Sequence, residues 1–157
     1  MMNDPAEQNI IAHVRDHGWS IMKVAPATDS DDAEEWFAYT IGLPNTFGWP
    51  ELICLGMDSD VVGPVLNNAV AELRDSKLTP TSGLQLHDVL NGSPVKLQAN
   101  PQIPSNYLGY AKWFAGHSGR DMPTWLQLLW PDKQGRFPGE AGCVTEVVQL
   151  QTPIGAP

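Results

Sequence analysis

Residues 36–43 read Trp36-Phe37-Ala38-Tyr39-Thr40-Ile41-Gly42-Leu43, and residues 50–57 read Pro50-Glu51-Leu52-Ile53-Cys54-Leu55-Gly56-Met57. Both are short, apolar and bounded by turn formers, as core strands are. In the first, Tyr39 and Ile41 fall on one face, Ala38 and Thr40 on the other, because strand side chains alternate. The connection from Leu43 to Pro50 holds two prolines, a glycine and an asparagine, which shape a loop sharply. Its aromatic residues Phe47 and Trp49 either line a site or fold back over the core. Glu51 places a carboxylate at the mouth of the second strand, where burial is otherwise expected.

Toward the N-terminus, Asp4-Pro5-Ala6-Glu7 combines a capping acid, a proline at the first helical position and an acid three residues after the cap. A helix therefore follows, with Ile10, Ile11 and Val14 on one face and Gly18 at its end. Residues Trp19 to Ala25 suit a strand. The following acids Asp29, Asp31, Asp32, Glu34 and Glu35 predict a solvated hairpin loop, since the glycine and distal glutamate of a calcium-binding loop are missing.

Toward the C-terminus, Asp58 or Ser59 opens a second helix whose stripe runs through Val61, Val62, Val65, Leu66, Ala69, Val70 and Leu73. Pro64 is tolerable in its first turns. Asn91-Gly92 is a hairpin turn between short strands at 89–90 and 94–99. Ser105 is expected to cap a third, aromatic helix ending near Gly116 or Gly119. Thr124 to Trp130 is a strand apolar enough to be buried on both faces, and Gln127 within it must find a partner. Val144 to Leu150 suits an edge strand. The fold expected is one α+β domain over 1–152, a mixed or mostly antiparallel sheet with about three helices on it, and a flexible tail at 153–157.

With 157 residues, 42% apolar and 17% charged, the chain suits one folded domain. Its formal charge of −9 disfavours nucleic acid, and the basic residues form no run. No apolar stretch approaches the ~20 residues of a membrane span. The start lacks a signal-peptide pattern, and Cys54 and Cys143 read as thiols rather than a disulfide, so a cytoplasmic protein is expected.

The order of several blocks resembles a known family. His17-Gly18-Trp19, Phe37-Ala38-Tyr39-Thr40-Ile41-Gly42-Leu43, Pro50-Glu51-Leu52-Ile53, and Gln127-Leu128-Leu129-Trp130-Pro131-Asp132 with Gly135-Arg136-Phe137-Pro138 are similar to the bacterial and phage proteins called domain of unknown function 4262. The resemblance implies a small α+β domain and no settled activity.

No catalytic motif is present. His13 and His17, one helical turn apart, can offer two imidazoles to a metal, but Val14 stands where a zincin-type helix has glutamate. No metal is assigned to them, and His17 suits a helix C-terminus. Ser20, Tyr39, Thr40 and Cys54 are possible nucleophiles and His17 or His87 possible bases, without a nucleophile elbow. What remains is a pocket recipe of Tyr39, Thr40, Glu51, Gln127, Asp132 and Arg136, walled by Trp19, Trp49 and Trp130. The competing reading is that these polar groups satisfy one another. The function expected is non-catalytic recognition of a small, planar, nucleotide-like ligand or of a protein partner. The alternatives are a metal-dependent enzyme using His13 and His17, a flavin enzyme in a small β-barrel, and an acidic immunity-type protein that meets a basic partner through residues 29–35. The sequence leaves the cofactor and oligomeric state open.

Overall fold

The computed structural model describes residues 4–25 and 36–153. The acidic stretch at 29–35 and residues 154–157 of the tail lie outside them. The described residues form five α-helices and a six-stranded sheet.

Helix α1 spans Pro5–His17, and the capping box is complete: the Glu7 amide donates to Asp4 and the Asp4 amide to Glu7. The chain then lays down β1 (Ser20–Val24), β2 (Phe37–Ile41), α2 (Leu43–Phe47), β3 (Glu51–Leu55) and α3 (Ser59–Asp75). The hairpin β4 (Gln85–Leu90) and β5 (Ser93–Gln98), a 3₁₀ turn at Ser105–Leu108, α4 (Gly109–His117), β6 (Trp125–Leu129) and α5 (Thr145–Leu150) complete it.

The strands lie in the order β1-β2-β3-β6-β5-β4. Only β3 and β6 run parallel, with Ile53 beside Gln127; the other pairings are antiparallel. This is the mixed α+β sheet that the strand pattern predicts. Among the described residues the sheet is open, with β1 and β4 as edges, rather than closed into a small barrel. At the β4 edge the Glu72 carboxylate of α3 accepts the amides of His87 and Asp88, closing backbone donors that another strand would otherwise find.

Two apolar layers cover the sheet. On one face Ala38, Leu52, Cys54, Leu97, Leu126 and Leu128 meet Val62, Leu66, Ala69, Val70 and Leu73 of α3. On the other, Tyr39, Ile41, Ile53 and Leu55 meet Ile10 of α1 and Leu108, Ala111 and Phe114 around α4. The period-two assignment of Ala38 and Tyr39 to opposite faces holds.

Three local expectations are corrected. The loop after β2 contains a five-residue helix, α2, entered through Gly42 at φ 100° with Pro44 in its first turn. A side chain at Gly42 would strike Val14 of α1, whose Cγ2 lies 2.8 Å from where a Cβ would stand. Ser105 caps no helix: Pro104 precedes a 3₁₀ turn, and α4 begins only at Gly109. Residues Val144 to Leu150 form no edge strand but carry α5. The β-branched valines there are overridden by docking, since Leu150 sits against Gly56, which has φ 77° and no room for a side chain.

Candidate functional site

Thr40 and Glu51 are brought together and turned inward. Glu51 is 2% exposed. Its carboxylate accepts the Thr40 hydroxyl at 2.8 Å, the Gly42 amide at 2.8 Å and the Leu43 amide at 3.2 Å. The Thr40 oxygen in turn accepts the Leu52 amide at 2.9 Å. Glu51 thus satisfies the first amides of α2, which have no partner within the helix. Burial pushes its carboxyl up to about 7, against the downward pull of the Gly42 amide, the Thr40 hydroxyl and the Leu43 amide.

Tyr39 lies on the opposite face of β2 from Thr40. Its hydroxyl accepts the Tyr110 amide at 2.9 Å, and burial pushes the phenol up to about 12. Trp49 stacks on Phe47 with ring centroids 4.1 Å apart and both pack against the core, while Trp49 also lines an open groove of about 490 Å³. The Trp130 indole donates to the Leu55 carbonyl at 3.0 Å. Asp132 builds the turn after β6, its carboxylate accepting the amides of Gln134, Arg136 and Val144. The Arg136 amide, with those of Val144 and Gln134, holds that carboxyl below its ordinary range. The Arg136 guanidinium donates to the Gly142 carbonyl at 3.0 Å. Most of the polar set assembled from the sequence is therefore scattered, and its members are occupied with backbone partners.

Gln127 is different. It is 2% exposed and lines a cleft of about 340 Å³. Its NH₂ donates to the Gln151 carbonyl at 2.7 Å and its oxygen accepts the Asn100 NH₂ at 2.8 Å. The Asn100 oxygen accepts the Gln102 amide at 3.0 Å. Beyond Gln127, the Gln151 side chain accepts the Trp130 amide at 2.9 Å and donates to the Trp130 carbonyl at 2.8 Å. Gln98 stands opposite Gln127 in the β5–β6 register and lines the same cleft. The described residues lining it include five carboxamides, Gln98, Asn100, Gln102, Gln127 and Gln151, and no charged side chain. The sequence marks Gln127 as needing a partner; Gln98, Asn100 and Gln102 reach the cleft because β5 lies beside β6, and Gln151 because α5 docks there.

Another open groove of about 560 Å³ is lined by His13, His17, Trp19, Ser20, Asn67 and Arg74 among others. The two imidazole centroids are 6.2 Å apart. His13 Nδ1 and the Ser20 hydroxyl share a hydrogen bond of 3.2 Å, and the Trp19 indole donates to Asn67. Among the described residues no group of three or more His, Cys, Asp or Glu side chains is placed to hold a metal. Cys54 is a buried free thiol that burial pushes up to about 12, away from the thiolate form that a nucleophile uses.

A family model described as "Domain of unknown function (DUF4262)" matches residues 13–144. No curated protein and no solved structure matches the chain. Among the described residues no helix is long and apolar enough to cross a membrane.

Proposed function

The chain belongs to the DUF4262 family, and from that starting point we propose a non-catalytic binding domain that takes up a small, neutral, polar ligand in the cleft floored by Gln127. The observation that carries this reading is the lining: five carboxamides, two of them buried at 2% and 3% exposure, and no charge. Ligand sites are concave and mostly apolar, with a few placed polar groups that fix orientation. Leu129, Pro138 and Val148 supply apolar wall here. A charged ligand would lose hydration in such a cleft without meeting a counter-charge. The free thiols Cys54 and Cys143 support a reducing, cytoplasmic setting.

One observation favours an enzyme instead, the hydrogen bond between Ser20 and His13. A serine nucleophile needs a base within such reach and a third group to orient the base. Among the described residues the hydrogen bonds of His13 include no acid. A fluorophosphonate probe is therefore expected to leave Ser20 unlabelled.

The binding reading is tested by native mass spectrometry of the protein purified from its own host. The expected result is a retained neutral small molecule that Asn100→Ala releases. A retained flavin or metal, or a labelled Ser20, would contradict it.

A further inference from the structure

On the premise that the Gln127 cleft is the binding site, we infer that its ligand is a neutral planar heterocycle with a hydrogen-bond donor and an acceptor side by side on one edge. A lactam or an amino-substituted azine has that edge, as purine and pyrimidine bases do.

The polarity of the carboxamide chain is fixed from both ends. The Gln151 backbone carbonyl only accepts, so the Gln127 group facing it is the NH₂. The Gln127 oxygen is then turned toward Asn100, which must present its own NH₂. The Asn100 oxygen is left for the Gln102 backbone amide, a group that only donates. Rotating either side-chain amide by half a turn would set acceptor against acceptor and donor against donor. The ends of the chain thus decide an assignment that density for such groups seldom reveals.

A carboxamide has two N–H donors and two acceptor sites. The bonds within the chain occupy one donor and one acceptor on Gln127 and one of each on Asn100. Each amide keeps one donor and one acceptor, in an order the network does not allow to reverse. A pre-oriented carboxamide pairs at two points with an edge carrying the complementary order, which is how Asn and Gln side chains read adenine. Leu129, Pro138 and Val148 offer apolar surface to the faces of a ring. At about 340 Å³ the cleft is at the small end of ligand pockets, suited to one ring or a fused pair.

The test is calorimetric titration of the full chain with two matched pairs: 2-pyridone with its N-methyl derivative, and 9-methyladenine with its N6,N6-dimethyl analogue. Each analogue keeps the ring and an acceptor but loses the donor. The parent of at least one pair is expected to bind, its analogue to bind about tenfold more weakly, and Asn100→Ala to remove that difference. Asn100 is only half-buried, and the comparison on the unsubstituted chain holds even if the variant folds poorly. Equal affinity within the pairs would overturn the inference. Binding of a sugar or polyol, lost in Asn100→Ala, with no binding of either heterocycle would also overturn it while leaving the binding role intact. If no neutral ligand of any class binds, the binding role itself fails.

Discussion

At the scale of single residues, the Thr40–Glu51 pair shows how a buried carboxylate is made structural. Thr40 is fully buried, and its hydroxyl stands between the Glu51 carboxylate and the Leu52 amide. Replacing it with the near-isosteric valine leaves a buried amide without a partner and Glu51 with one donor fewer. Thr40→Val is expected to lower unfolding free energy by about 1–3 kcal/mol in denaturant titrations; no change would show that water replaces the hydroxyl. Glu51 also predicts a pH dependence. In the folded chain burial keeps a proton on its carboxyl to about 7, whereas an ordinary glutamate loses it near 4.5. Between those values the folded chain holds more protons than the unfolded one, so stability falls as pH rises. The decline attributable to Glu51 is on the order of 3 kcal/mol. It should be present in melts of the natural chain from pH 4.5 to 7 and flattened in Glu51→Gln.

At the scale of elements, α5 is the piece whose placement completes the cleft. Its following residue, Gln151, bonds both backbone groups of Trp130 just past β6, standing in for a neighbouring strand. Gln151→Leu strips both partners at once and is expected to cost about 1–3 kcal/mol. The Trp130 indole environment should change in the same variant; an unaltered fluorescence spectrum and midpoint would mean that α5 is held by other contacts. This element was not legible in the sequence. Val144, Val147 and Val148 favour a strand locally, and what overrides them is the fit of Leu150 on Gly56, nearly a hundred positions away. By contrast α1, β2, β3 and β6 were legible, because capping or hydrophobic period agrees there with the tertiary packing, and α3 was legible from its period although Val61 is exposed and Asp58 makes no side-chain cap. The site was half legible. A glutamine in a doubly buried strand announces a need for partners, but naming Asn100 requires knowing that β5 lies beside β6, and naming Gln151 requires knowing where α5 docks. Glu51 and Asp132 were drawn into the sequence-based pocket for the same reason: burial is visible in a sequence, while the backbone amides that satisfy it are not.

At the scale of the whole molecule, a sheet covered on both faces by helices leaves a cleft where the covering is incomplete. The cleft lies on the β5–β6 side, bounded by Val148 of α5 and by Pro138 and Gly139. The molecule has a formal charge of −9, yet the cleft has none among its described lining. Binding there should change little with ionic strength, whereas an acidic surface meeting a basic partner would lose affinity steeply in salt.

If Gln127 and Asn100 hold a ligand as proposed, it registers first in the side-chain NH₂ signals of those two residues in amide NMR spectra. Titration with 2-pyridone or 9-methyladenine is predicted to shift both NH₂ pairs, together with Gln98, while signals from His13, His17 and Trp19 stay in place. A ligand that binds while leaving the Gln127 and Asn100 signals unmoved would contradict the account.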